Sequence, residues 1–455
     1  MGEGDGGVTL MVLFFMLLSA AFQGCVSAAN KPQNTKKQTP SAPINRFRTS
    51  AVLPLYGNVY PDGYYYASMD IGQPPKPYFL DIDTGSDLTW VQCDAPCQNC
   101  IKGRHPPYKP SKDIVRCNDP LCTSLRLSAN LQCNNPNEQC DYDVKYADDG
   151  SSLGVLIRDY FPLRFTNGSQ LSARVAFGCG YDQFVPSSTS HSFLDGVLGL
   201  GNGKASIVSQ LSNMGLTRSV VGHCMSSRGG GFLFFGDDLI PSSGMVWSPM
   251  SSQPMEKYYS SGPAELLFGA QATGVKGLSV VFDSGSSYTY LNSQAYDITL
   301  STIRKNLNGK PLKDAKDDGT LPICWKGAKR FKSISDVRSY FSPLVLRFAN
   351  NNAVPMQIPP EAYLIITKQG NVCLGILNGT QIGLKNLNVI GDIFMQDKMV
   401  VYDNEKQKIG WMTANCNRPP NVDRDCSEGF SQPCAGSMDV LQEHCPATFP
   451  FREEF

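Results

Sequence analysis

The sequence is poor in histidine, carries no excess of either charge, and has no long apolar run after its first thirty residues. Forty basic side chains balance forty acidic ones. That balance argues against a nucleic-acid or anionic-membrane partner, because either normally requires a basic patch. The four histidines are His105, His191, His223 and His444, and none stands in a recognisable catalytic context, so a Ser-His-Asp arrangement is unattractive. With no later segment apolar enough to cross a bilayer as a helix, no stable membrane span is expected once the N-terminal segment is removed. The charged end Arg452-Glu453-Glu454-Phe455 argues against a lipid-anchor signal.

What is present describes a globular β-rich chain. Hydrophobic residues make up 41% and charged residues only 18% of 455 positions, which excludes a largely disordered body. The 42 glycines and 31 prolines suit many tight turns, and the 19 tyrosines and 23 phenylalanines suit strands. Residues 8–22 form an apolar run followed by Val26-Ser27-Ala28, which reads as a signal peptide over 1–28. Glu3 and Asp5 replace the usual basic start, so an uncleaved anchor is the alternative. Residues 29–50, rich in Lys, Thr and Pro, read as a linker or short pro-segment.

Cysteine usage points to the secretory pathway, with a secreted, extracellular or vacuolar destination. Twelve of the sixteen cysteines lie between Cys93 and Cys416, and six disulfides are the simplest reading. Cys426, Cys434 and Cys445 fall in a polar tail over 417–455. The spacing of Cys93, Cys97 and Cys100 invites a zinc site, but His105 is the only nearby histidine and cysteines of secreted chains usually oxidise, so no metal is expected. Asn167-Gly168-Ser169 and Asn378-Gly379-Thr380 are glycosylation acceptors, at Asn167 and Asn378.

From Tyr64 onward, short apolar or alternating runs bounded by turn residues predict strands at 64–71, 78–82, 231–235, 279–282 and 399–402. Helices are few, at 205–214, 293–306 and 336–340. Within this pattern lies an internal repeat. Asp83-Thr84-Gly85-Ser86-Asp87-Leu88-Thr89-Trp90-Val91 recurs as Asp283-Ser284-Gly285-Ser286-Ser287-Tyr288-Thr289-Tyr290-Leu291. Each copy ends an apolar run, and each is followed at similar distance by an apolar-Gly-apolar segment, with Gly196 113 residues after Asp83 and Gly391 108 residues after Asp283. Two landmarks repeated in order imply two lobes of one design, an N-terminal lobe over 51–245 and a C-terminal lobe over 246–416.

Two carboxylates at the ends of apolar strands are costly to bury unless hydrogen-bonded or shared. Facing each other, they would hold one proton between them over a range of acidic pH. Such a dyad can take a proton from a water while polarising or protonating an amide, with no cofactor. Gly85 and Gly285 would let the turns approach, and the Thr84 and Ser284 hydroxyls could bond across to the opposite turn.

These turns and the two apolar-Gly segments resemble the pepsin-like aspartic proteases over residues 64–411. The resemblance implies an all-β bilobal fold, two similar barrel-like lobes flanking a cleft, with Asp83 and Asp283 catalytic and a peptide or protein as substrate. It also implies a flap over the cleft, whose tyrosine pairs with a tryptophan. Tyr146 in Tyr146-Ala147-Asp148-Asp149-Gly150-Ser151 and Trp90 take those places, though the flap pattern has one residue more than the family's. The cysteine-dense stretch 93–100 is similar to the plant nucellin and nepenthesin type, which implies a disulfide-rich insertion before the flap and the pairs Cys324–Cys373 and Cys224–Cys416. The expectation is a monomeric aspartic endopeptidase, made as a zymogen and working at acidic pH. The competing reading is a binding protein on an inactive protease fold, such as an inhibitor. A third is an adhesion role carried by the insertion or tail. Two intact Asp turns favour the enzyme.

Overall fold

The computed structural model describes residues 49–96, 100, 103–129, 135–184, 194–251, 258–349 and 354–419. The expected signal peptide, most of the linker, most of the tail and its cysteines lie outside them.

Strands dominate, in sheets of thirteen, eight and four strands, with few helices. The two Asp turns sit in the same strand topology. Strand Lys76–Asp83 runs parallel to Gly196–Gly199, pairing Asp83 with Gly199. Strand Trp90–Gln92 lies antiparallel to Gly196–Gly199 and parallel to Gln170–Phe184. In the second lobe, Leu278–Phe282 runs parallel to Asn388–Ile390, and Thr289–Leu291 is antiparallel to that strand and parallel to Ile376–Asn378. This register makes Gly199, rather than Gly196, the counterpart of Gly391. The ends of both Asp strands are buried on both faces, which suits the continuous apolar run Val280-Val281-Phe282 of the second; the first carries Asp81 within it.

The lobes are joined by a continuous sheet. Strand Val220–Met225 pairs with Lys398–Asp403, linking the first lobe's Gly231–Phe235 and Ala51–Asn58 to the second lobe's Lys408–Thr413. The Cys224–Cys416 disulfide closes this junction.

Helix Ile207–Asn213 is capped by Ser206, whose hydroxyl accepts from the Ser209 N–H, and Ser293–Leu307 by Asn292, which accepts from Ala295. The 336–340 helix is instead two 3-10 turns, Ile334–Asp336 and Arg338–Tyr340, parted by the extended φ of −124° at buried Val337. One helix was not anticipated. Pro120–Ala129 sits in the insertion, with Asp119 Oδ1 accepting from the Leu121 N–H at 2.9 Å. An Asp cap before a Pro at the first helical position is its legible sign.

Candidate active site

Each Asp turn is built from its own hydrogen bonds. Gly85 N–H donates to Asp83 Oδ1 at 2.8 Å, and the Ser86 hydroxyl donates to Oδ2. Across the site, Gly285 N–H donates to Asp283 Oδ1 at 3.0 Å and the Ser286 hydroxyl to Oδ2 at 2.7 Å. Sequence similarity has become geometric similarity, donor for donor.

The turns also hold each other. The Thr84 hydroxyl donates to Phe282 O at 2.9 Å and accepts from Ser284 N–H at 2.9 Å. Reciprocally, the Ser284 hydroxyl donates to Ile82 O at 2.7 Å and accepts from Thr84 N–H at 3.1 Å. Both side chains are buried. In the joining sheet, buried Tyr402 has its hydroxyl 3.1 Å from His223 Nε2.

The glycines are required by close approach. A Cβ on Gly85 would lie 2.6 Å from Asp283 Oδ1, and one on Gly285 would lie 2.7 Å from Asp83 Oδ1. Each turn therefore packs against the opposite carboxylate. Burial, followed by the Asp283 charge, pushes the Asp83 carboxyl up to about 7; the Ser86 and Gly85 hydrogen bonds pull the other way. Burial beside a second carboxyl disfavours ionising both, so the pair holds a proton in common.

Two further acids lie close by. Asp81, two residues before Asp83, shares its strand face and is buried. Asp392, fully buried, follows Gly391, and neither of its carboxyl oxygens has a hydrogen-bond partner among the described residues. Burial pushes both well above the usual carboxylate range, with the dyad charges adding to it. By strand register Asp81 corresponds to Val281 and Asp392 to Leu200, so each is an acid where the twin lobe is apolar. Sequence reasoning passed over both. The available signal was a charged residue at an apolar position of the repeat.

Tyr146 opens the loop between strands Asp141–Lys145 and Ser151–Arg164, and its hydroxyl accepts from Trp90 Nε1 at 2.6 Å. The loop closes through Tyr146 N–H to Gly150 O at 2.8 Å, with Asp149 at φ 68°. The extra residue relative to the family pattern is accommodated in this left-handed position, which Asp tolerates. Burial and then the Asp83 charge push the Tyr146 phenol well up.

Cysteines pair as Cys93–Cys179, Cys122–Cys140, Cys224–Cys416 and Cys324–Cys373, and Cys100 and Cys117 are also disulfide-bonded. Asp318 groups with Cys324 and Cys373, but oxidised sulfur is not a thiolate ligand. Asn167 is exposed in the turn after Arg164, and Asn378 is half-buried, its Oδ1 accepting from the Thr380 N–H and the Ser293 hydroxyl.

Comparison with known proteins agrees with this architecture. Residues 65–237 match the family described as Xylanase inhibitor N-terminal, and residues 265–413 match Xylanase inhibitor C-terminal. An aspartic proteinase of Oryza sativa subsp. japonica is 45% identical over 384 residues, covering 82% of this chain and 92% of that protein. Among solved structures, soybean basic 7S globulin superposes with a TM-score of 0.61 at 17% identity, covering 81% of this chain and 95% of the other. The aspartic proteinase of Irpex lacteus gives 0.55 at 16%, covering 81% and 98%. With the doubled Asp turn, the shared topology and a relative this similar along nearly its whole length, the chain belongs to the pepsin-like aspartic protease family.

Proposed function

We propose that the chain is an aspartic endopeptidase whose catalytic pair is Asp83 and Asp283, working at acidic pH on an extended peptide. The observation that carries the reading is the reciprocal interlock of Thr84 and Ser284, which holds two carboxyls side by side. In the one-proton state, the ionised member takes a proton from a water between the carboxyls. The water oxygen adds to the scissile carbonyl carbon, and the protonated member donates to the carbonyl oxygen. Collapse of the resulting diol breaks the C–N bond as the leaving nitrogen takes a proton from one carboxyl and a diol hydroxyl gives its proton to the other, restoring the one-proton pair. The proton belongs to the pair, so neither role is fixed to one residue. Tyr146 and Trp90 act as flap and anchor over the bound peptide. Tyr66, paired with Asp81, stacks toward Phe79 with ring centroids 4.9 Å apart and toward Tyr56 at 5.5 Å, an aromatic row that suits apolar substrate side chains.

The same reading assigns 51–245 and 246–416 to the two lobes, 1–28 to a leader and 29–50 to a linker or short pro-segment. It makes the product a secreted or vacuolar, glycosylated monomer. The inhibitor named in the matching family descriptions is the rival function; it is disfavoured by two complete Asp turns with equivalent donors.

The test is peptide cleavage from about pH 3 to 7 by wild type, Asp83→Ala and Asp283→Ala. Acid-dependent cleavage lost in both variants supports the reading. Cleavage surviving either substitution, or a folded wild type silent throughout, overturns it.

A further inference from the structure

We propose that a basic pocket straddling both lobes binds an acidic side chain, Asp or Glu, of the peptide substrate, away from the scissile bond. The inference rests on the proteolytic reading above and adds a substrate class to it.

The pocket has a volume of about 530 Å³ and is lined by Tyr60 and Pro61 from the first lobe and by two loops of the second, around Arg330–Lys332 and Ile366–Gly370. Its three charged lining residues, Arg330, Lys332 and Lys368, are all cationic and all exposed. None of the three has an ion-pair partner among the described residues. Lys332 does feel the Asp336 carboxylate electrostatically. Asp336 accepts from the Lys332 and Ser333 N–H groups, Asp318 from the Thr367 hydroxyl and the Asn371 amide, and Asp62 from the Asn58 amide. Three cations converging on one concavity with no acid in its lining create a positive potential that an anion relieves. Tyr60 and Phe331 give the walls apolar surface for a carboxylate's methylene stem.

The pocket is held in shape. Phe331 N–H donates to Gly370 O at 2.9 Å, joining the two second-lobe loops, and Lys368 N–H donates to the Tyr60 hydroxyl at 3.0 Å, joining the lobes. It is also tied to the dyad. Gly63 O, two residues past Pro61, accepts from the Ser287 hydroxyl, and Ser287 lies in the Asp283 turn. Summed along that path, the pocket is no more than about eight residues of extended chain from the carboxyls. A peptide long enough to occupy the cleft can therefore place a side chain in it. A carboxylate fits better than a neutral group because nothing else in the lining neutralises the cations.

The experiment uses decapeptide pairs carrying Glu or Gln at each position in turn, assayed for kcat/KM at low salt by wild type and by Arg330→Ala/Lys332→Ala/Lys368→Ala. The same pairs are measured for binding to Asp83→Asn by fluorescence anisotropy. Exposed charge pairs are individually weak and salt-screened, so the expected preference for Glu at one position is roughly three- to tenfold. It should vanish in the triple variant, with cleavage of the Gln peptide unchanged, and fall away as pH drops below about 4.3, where Glu protonates. Equal rates for every Glu/Gln pair in an active enzyme, or a preference that survives the triple variant, overturn the pocket assignment. Glu-selective binding by a protein that never cleaves would overturn the proteolytic reading and leave the pocket standing.

Discussion

Replacing Thr84 by Val removes one hydroxyl while keeping the side chain's shape, and it tests the interlock directly. That hydroxyl is fully buried and makes two main-chain bonds across the lobes, to Phe282 O and from Ser284 N–H, each at 2.9 Å. The substitution leaves both main-chain groups buried without this partner. At about 1–3 kcal/mol for each of the two stranded groups, the loss should be about 2–6 kcal/mol. Against a typical total of about 5–15 kcal/mol, that is a large fraction. Ser284→Ala removes the mirror-image pair of bonds and should cost a similar amount. The two changes should not add, because once one hydroxyl is gone the turns can separate and the other loses its geometry. A deficit of at least about 0.5 kcal/mol from additivity is expected in the double variant. The assay is urea unfolding with disulfides intact, followed by tryptophan fluorescence, on wild type, both singles and the double. A Thr84→Val protein within about 0.5 kcal/mol of wild type would refute the reasoning, as would strict additivity.

Other expectations follow from single contacts. Trp90→Phe deletes the 2.6 Å hydrogen bond to Tyr146 and should lower kcat/KM through the flap while costing about 1 kcal/mol or less of stability beyond the packing change; unchanged kinetics in a folded variant would count against the flap role. Cys224→Ser/Cys416→Ser opens a 192-residue loop, for which the chain-entropy estimate is about 5 kcal/mol, so the reduced-crosslink protein should melt well below wild type. Asp83 is raised from 3.8 to about 7, so its contribution to stability is full below about pH 4 and lost as pH rises to about 7. Buried His223, held down at about 3, works in the opposite sense, losing stability as pH falls from 6.5. Unfolding of wild type against Asp83→Asn cancels the histidine, and the wild type should lose ground to the variant by no more than about 4 kcal/mol across pH 4 to 7. A wild type that gains on the variant over that range would reverse the sign.

Much of the site was written locally. The two Asp turns are contiguous motifs, and their donors lie within three residues of each Asp, so a repeat in the sequence becomes a repeat in space. The helices at 207–213 and 293–307 were legible for a similar reason, since Ser206 and Asn292 cap the very residues that follow them. What stayed hidden depends on long-range pairing. Cys93–Cys179 joins residues 86 apart across the insertion, and no spacing rule selects it. The sheet joining the lobes pairs Val220 with Asp403, a partnership set by tertiary packing rather than by either strand's pattern. Asp81 and Asp392 escaped notice because an isolated acid in a strand or after a glycine reads as an edge or a cap, and only the register shows each to be buried beside the dyad. The helix expected at 336–340 is two 3-10 turns instead, a segment too short for helical periodicity to tell the two apart.

The central claim is that Asp83 and Asp283 share one proton and activate a water between them. The most direct measurement is the pH dependence of kcat/KM for one fluorogenic peptide, compared between wild type, Asp83→Asn and Asp283→Asn. Shared-proton catalysis predicts a bell, because activity needs one carboxyl ionised and one protonated, and a loss of at least about a thousandfold at every pH in either variant. A rate that climbs steadily past neutrality, or a variant that keeps the wild-type profile, would contradict it.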